Sequence, residues 1–153
     1  MYGGATSPLP GPTDVAVRPI VPGEIGLFGT TWADGYEFAG QEREWALGDI
    51  VAWPSRESVT LYLAEAGGAP AGAAVLGVHD GVGYLANAST VPAFRRRGAH
   101  GAMIERRIAD AAGSGCELVC GLALYGSTSQ NNMERLGLRL AGTLTQWRPL
   151  PST

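Results

Sequence analysis

Along this chain, stretches in which apolar and polar residues alternate give way to stretches in which apolar residues recur every third or fourth position. Val15–Ile20 (VAVRPI) alternates and is β-branched, and Pro19 and Pro22 end it as a first strand. The period then becomes helical. Ile25, Phe28 and Trp32 mark a short helix, and Ala46, Ile50 and Trp53 fall at i, i+4 and i+7 of another, with Glu42, Arg43, Glu44 and Asp49 facing away. Ser58–Glu65, Ala71–His79 and Val82–Thr90 read as strands of an antiparallel meander, turned at Ala66-Gly67-Gly68-Ala69 and at Asp80-Gly81. After Pro92 and three arginines, Gly98 opens a helix to about Ala112 with Ile104, Ile108 and Ala112 as its buried stripe, ended by Gly113-Ser114-Gly115. Glu117–Leu124 is apolar enough for a central strand. Ser129 is expected to cap a short helix from Gln130 to Leu136 that stops at Gly137, and Arg139–Trp147 is expected to be a last strand.

Strand, helices, meander, helix, strand, helix, strand is the order of an α+β fold: a mostly antiparallel central sheet with helices on both faces. Met1–Asp14, rich in proline and glycine and without periodicity, reads as a mobile leader, which leaves residues 15–150 as a single domain. At 153 residues, one core that buries roughly two-thirds of the unfolded surface needs neither disulfide nor metal.

Charge narrows the function classes. The net charge is −3 and the sequence pI near 5.3, so a nucleic-acid partner is not expected. Lysine is absent and all eleven cations are arginine. Cys116 and Cys120, four apart on one strand, point to the same face too far apart to bridge, and two thiols without paired histidines make no zinc site. They read as small buried hydrophobes in a reducing compartment. The N-terminus lacks a basic and apolar leader, and no run approaches ~18 apolar residues, so a cytoplasmic protein without a membrane partner is expected.

Candidate chemistry concentrates in Thr90-Val-Pro-Ala-Phe-Arg95-Arg96-Arg97-Gly98-Ala99-His100-Gly101-Ala102, where a strand passes through a basic turn into the first turn of a helix. The first amides of a helix lack internal acceptors, and the helix dipole places partial positive charge there. Gly98 and Gly101 allow ligand oxygens close to the backbone, and the arginines add charge, so the segment reads as a cradle for a pyrophosphate. It is not a P-loop, because no Gly-Lys-Ser/Thr follows. It is not a dinucleotide fingerprint, because it follows an antiparallel meander instead of opening a parallel βαβ unit.

The segment resembles the hallmark of the GNAT superfamily of acetyl-coenzyme A-dependent N-acetyltransferases, Gln/Arg-x-x-Gly-x-Gly/Ala. Arg95, Arg97 and Gly98 match, Thr90-Val91-Pro92 is the lead, and His100 stands at the last hallmark position. Gly126 to Leu138 is similar to the family's late Asn-x-x-x-x-Gly-Phe helix, with Asn132 and Gly137 matching and Leu138 in place of Phe. The resemblance runs through nearly the whole chain from Val15 and is strongest from Tyr84 to Leu138.

The resemblance implies acetyl-coenzyme A as co-substrate, with no metal, and a small-molecule amine as acceptor. Backbone at Ala88, Ser89 and Thr90 would meet the pantetheine arm, and the segment from Arg95 through Arg96, Arg97, Gly98, Ala99, His100 and Gly101 to Ala102 would hold the pyrophosphate. Asn132 would touch the cofactor from the late helix. Strands diverging beyond Thr90 and Leu124 would form the slot, and a backbone N–H near Ser89 would stabilise the oxyanion. Met133 stands where relatives carry a proton-donating tyrosine, so Tyr125, Ser127 and Ser129 are the polar substitutes, and Asn87 is a candidate to orient substrate or water. Glu37 is the candidate acid if an amine is bound near the N-terminal aromatics, its alternative being a solvated glutamate at a helix end. The departures keep a second reading open: a GNAT-fold protein that binds a coenzyme A thioester or another ligand without acetylating an amine, as a repurposed enzyme or a regulatory module. The terminal run Arg139–Trp147, with Trp147 on one face, suggests an open edge and a homodimer.

Overall fold

The computed structural model describes residues 1–4, 14–53 and 58–147. In chain order it forms β1 (Tyr2–Gly4), β2 (Val15–Pro19), α1 (Ile25–Gly35), α2 (Gly40–Ile50), β3 (Val59–Ala66), β4 (Ala69–His79) and β5 (Val82–Thr90). A single 3-10 turn at Pro92–Phe94 leads into α3 (Ala99–Gly113), followed by β6 (Leu118–Gly121) and α4 (Thr128–Arg135).

The strands make one six-stranded sheet in the order β1-β6-β5-β4-β3-β2. Every neighbouring pair is antiparallel except β5 with β6, which run parallel. The fold is thus the mixed α+β arrangement expected.

Alternation along β3 and β4 sorts the core into two layers, because successive side chains leave a strand on opposite faces. Leu61, Leu63, Ala73 and Val75 pack under Phe28, Trp32 and Ala33 of α1 and Ile50 of α2. Tyr62 and Leu76, from the intervening positions, join Leu85, Ile104, Ile108 and Ala111 on the other face, with Met133 of α4 beside them. Ala64 and Ala74 meet Ala99 and Met103. Each large side chain removed from water here contributes about 1.5–3 kcal/mol. The small residues serve close approach: a Cβ at Gly83 would stand 2.7 Å from the Cβ of Ala111, so α3 lies almost on the sheet backbone.

Four expectations need correction. Met1–Asp14 is not a leader throughout: Tyr2–Gly4 pairs with Leu118–Cys120, and Met1 is buried, while residues 5–13 lie outside the described residues. Glu117–Leu124 contributes only Leu118–Gly121 as strand, because its pairing with β5 ends there. The cap of α4 is Ser127, whose side chain accepts the Gln130 N–H at 3.2 Å; Ser129 lies inside the helix.

The last correction is that Arg139–Trp147 forms no strand. The outer edge of β6 is taken by β1, only Arg139 makes an isolated bridge, and Leu144 and Trp147 stay 82% and 90% exposed. The argument for a homodimer from an unpaired terminal strand therefore loses its premise.

Candidate functional site

β5 and β6 are paired only from Val82–Leu118 to Leu85–Gly121. Beyond that point β5 runs on to Thr90 without β6, so the sheet parts at Leu85 and Gly121, earlier than Thr90 and Leu124. A bulge helps to turn β5 away. Ala73 pairs with Ser89 but Val75 with Ala86, which leaves one extra residue on β5, and Asn87 takes φ +45° to absorb it. Asparagine tolerates that left-handed backbone better than most residues.

A cavity of about 790 Å³ opens beside this parting. Ala88, Ser89 and Thr90 of β5 form one wall, and Gly98, Ala99, His100 and Gly101 at the start of α3 form another. Arg95 and Arg96 lie at the turn between them. Ser129 and Asn132 approach from α4. These are residues that the sequence singled out, and the fold brings them together.

Asn87, Arg97, Ala102 and Tyr125 do not line the cavity. Asn87 serves the bulge, and Arg97 lies over the Phe94 ring at 5.4 Å. Ala102 packs at the edge of the α3 core, and Tyr125 is 83% exposed. Sequence reasoning missed Gly35, Tyr36, Phe94, Thr128 and Arg135, which do line it. Arg135 carried a signal, since it lies one helical turn after Asn132 and so on the same face of α4.

The start of α3 leaves its first backbone amides open. Gly98 is its N-cap at φ +85°, a left-handed conformation that favours glycine, and no side chain caps the first turn. The amides of that turn stand at the cavity wall beside Arg96, itself at φ +66°, and Arg135. Arg95 has another task. Its guanidinium donates to Glu37 at 2.7 Å, to the Gly35 carbonyl at 3.1 Å and to the Thr90 carbonyl at 3.3 Å, tying the end of α1 to the turn. Glu37 is therefore paired with Arg95.

His100 turns its ring toward α4. The amide nitrogen of Asn132 donates to His100 Nδ1 at 3.1 Å, while Asn132 Oδ1 accepts from Arg135 at 3.3 Å. Burial first, and the charge of Arg107 second, push the imidazole down to about 4. It is neutral at pH 7 and adds no charge against the helix dipole. The Tyr36 hydroxyl is pushed up by burial and stays protonated.

Ser89 is 5% exposed, and its hydroxyl donates to the Trp32 carbonyl at 3.0 Å, so the side chain fastens α1 to β5. Met133 is buried in the α3–β6 core, and a Cβ at Gly121 would lie 3.3 Å from its Cε. No carboxylate lines the cavity among the described residues. Nor does any group of three or more His, Cys, Asp or Glu among them stand ready to hold a metal.

A mixed sheet parted at its parallel pair over an uncapped helix N-terminus places the chain in the class of GNAT-like α+β folds. The chain belongs to the GNAT acetyltransferases: residues 27–123, more than half of it, match the family model described as "Acetyltransferase (GNAT) domain". No curated protein matches the chain. Among solved structures it is similar to the aminoglycoside acetyltransferase AAC(6')-Iy in complex with a bisubstrate analogue, at 16% identity and TM-score 0.71 over 89% of this chain and 98% of that one. It is also similar to a predicted acetyltransferase from Clostridium acetobutylicum with acetyl-CoA, at 16% identity and TM-score 0.64 over 89% and 95%. A third likeness is a putative acetyltransferase from Agrobacterium tumefaciens, at 21% identity and TM-score 0.67 over 88% and 99%. At these identities the likeness is one of fold.

Proposed function

We propose that the protein transfers an acetyl group from acetyl-coenzyme A to the amine of a small molecule. The observation that carries this reading is the uncapped, glycine-led start of α3 at the wall of a cavity that opens where β5 and β6 part. The residues present suit the co-substrate. Ala99, His100 and Gly101 offer backbone amides to a pyrophosphate, and Arg96 and Arg135 add charge at the rim. Ala88 to Thr90, past the end of the β6 pairing, offer backbone groups to an amide-bearing arm, as a missing strand would.

In the transfer, the amine nitrogen forms a bond to the acyl carbon and the carbon–sulfur bond breaks with its electron pair left on sulfur. The nitrogen loses its proton. With no carboxylate on the described lining, that proton passes to water, and the amine must arrive neutral. Backbone N–H groups of β5 near Ser89 are the donors that would meet the developing oxyanion. The cytoplasm is the compartment that fits, since Cys116 and Cys120 are free thiols and no described helix is long and apolar enough to cross a membrane.

The same unacidic lining favours a second reading, a protein that holds a coenzyme A thioester without acetylating an amine. Calorimetric titration with acetyl-coenzyme A tests what the two readings share, and failure to bind overturns both. Release of free thiol in the presence of an amine panel separates them: turnover above the hydrolysis background is expected for the transferase, and its absence across the panel sinks that reading.

A further inference from the structure

Among the described residues Arg107, in the middle of α3, is the one charged side chain that is fully buried, at 1% exposure. Its Nε donates to the Met103 carbonyl at 2.9 Å, and its Nη1 donates to Val75 at 2.9 Å and Ala86 at 3.1 Å. These carbonyls belong to three elements, and those of Val75 and Ala86 flank the bulge between β4 and β5. Ala86 also follows Leu85, the last residue of β5 paired with β6, so the guanidinium holds the backbone at the apex of the slot.

No carboxylate pairs with Arg107 among the described residues. The ionisable groups whose charge bears on it are Tyr36 from α1, Tyr62 from β3 and His100 on α3 itself. Burial raises both tyrosines and lowers the histidine, so all three are neutral at pH 7. Burial also brings Arg107 down to about 10, which leaves it charged there. Its field reaches Tyr36 and His100, on two walls of the cavity. A buried cation without a counter-ion is costly, and an apolar side chain would fill the same core space without that cost. The hydrogen bonds to the bulge explain a polar group at this position but not an uncompensated charge.

We propose, on the footing of the acyltransferase reading, that Arg107 is a positioning residue whose buried charge stabilises the sulfur anion released at the apex of the slot. It does so through space, since Met133 of α4 cannot donate a proton to the leaving group. The electron pair of the broken carbon–sulfur bond stays on sulfur, and the proton shed by the amine goes to water. The other cations at the cavity, Arg95, Arg96 and Arg135, are exposed and act at its rim.

The test is calorimetric binding of free coenzyme A and of acetyl-coenzyme A between about pH 6 and 9, for wild type, Arg107→Met, Arg107→Gln and Arg107→Lys. Acetyl-coenzyme A has no thiol and serves as reference. In wild type the affinity for coenzyme A relative to the reference should rise with pH. The bound thiol should ionise at least one unit below its free value, near ~8.5, so that the ratio changes by about tenfold.

Arg107→Met should abolish that rise. Arg107→Lys should keep it with a lower melting temperature, because one ammonium cannot span three carbonyls. If the methionine variant fails to fold, Arg107→Gln supplies the neutral comparison with an amide donor retained, and the wild-type curve is read alone if both fail. A wild type that binds acetyl-coenzyme A but shows no rise overturns the proposal, as does a neutral variant that keeps the full rise. A wild type that binds neither compound overturns the acyltransferase reading first and this proposal with it.

Discussion

The side-chain amide of Asn132 in α4 donates to Nδ1 of His100 in the first turn of α3, across 3.1 Å. Because Asn132 Oδ1 accepts from Arg135, the amide is held in that sense, and the imidazole proton sits on Nε2. This bond has a consequence for acid stability. His100 takes a proton near 6.5 in the unfolded chain but only near 4 when folded, owing to burial and then to Arg107. Below 6.5 the unfolded state therefore binds the extra proton. Stability that is complete above that value is lost as the pH falls toward 4, by on the order of 2–3 kcal/mol. Thermal melts should show this loss in wild type, and His100→Gln should flatten it. An acid limb unchanged in that variant would mean that other groups carry it.

Gly98→Glu should cut acetyl-coenzyme A binding at least thirtyfold, about 2 kcal/mol, by placing a negative side chain at the anion cradle. Gly98 stands at φ +85°, so any side chain there also strains the backbone. Gly98→Ala separates the two effects: it should cost about 1 kcal/mol of stability and much less affinity. Equal losses of affinity for alanine and glutamate would remove the electrostatic argument.

The periodicity of β3, β4 and α3 was legible because each has two sides with different neighbours, and every second or every third to fourth residue reports which. The glycine-led start of α3 was legible because Gly98 and its arginines are contiguous in sequence. What the chain concealed depends on distant pairing. Tyr2–Gly4 looks like a leader until β6 offers it an edge, and with β1 on that edge the alternating run Arg139–Trp147 does not extend the sheet beside β6. Arg95 reads as a phosphate ligand until Glu37 and Gly35 come within reach of it. Arg107, between Ile104 and Ile108 of α3, was given no role from sequence, and only the carbonyls of Val75 and Ala86 show what it holds. Ser89, singled out from sequence, fastens α1 to β5 through its hydroxyl, which only the Trp32 carbonyl reveals.

Tyr125→Phe should leave turnover within about twofold of wild type. The side chain is 83% exposed and does not line the cavity, so its hydroxyl has no route to the leaving sulfur. Steady-state thiol release on a responsive amine is the measurement. A loss of a thousandfold, or about 4 kcal/mol of barrier, would place Tyr125 at the reacting atoms and require the loop after β6 to close over the cavity.

Gly35 and Ser89 meet where the end of α1 crosses β5, and both line the cavity. A Cβ at Gly35 would collide with Ser89 Oγ and lie 2.6 Å from Ser89 Cβ and 3.0 Å from the Thr90 nitrogen. The neighbours cannot yield cheaply. Ser89 is held by its bond to the Trp32 carbonyl, and the Thr90 nitrogen is backbone. Gly35→Ala must therefore push α1 away from β5, at an expected cost of about 1–3 kcal/mol in stability, typical of overpacking. The same shift would move the Gly35 carbonyl from Arg95 and widen the slot at Ser89 and Thr90. Affinity for acetyl-coenzyme A should fall along with the melting temperature, whereas Ser89→Ala, which loses the tether without the collision, should lower stability by about 1 kcal/mol and affinity less. Melting curves and titrations on the two variants check this. If Gly35→Ala melts like wild type and binds acetyl-coenzyme A unchanged, α1 does not brace the slot.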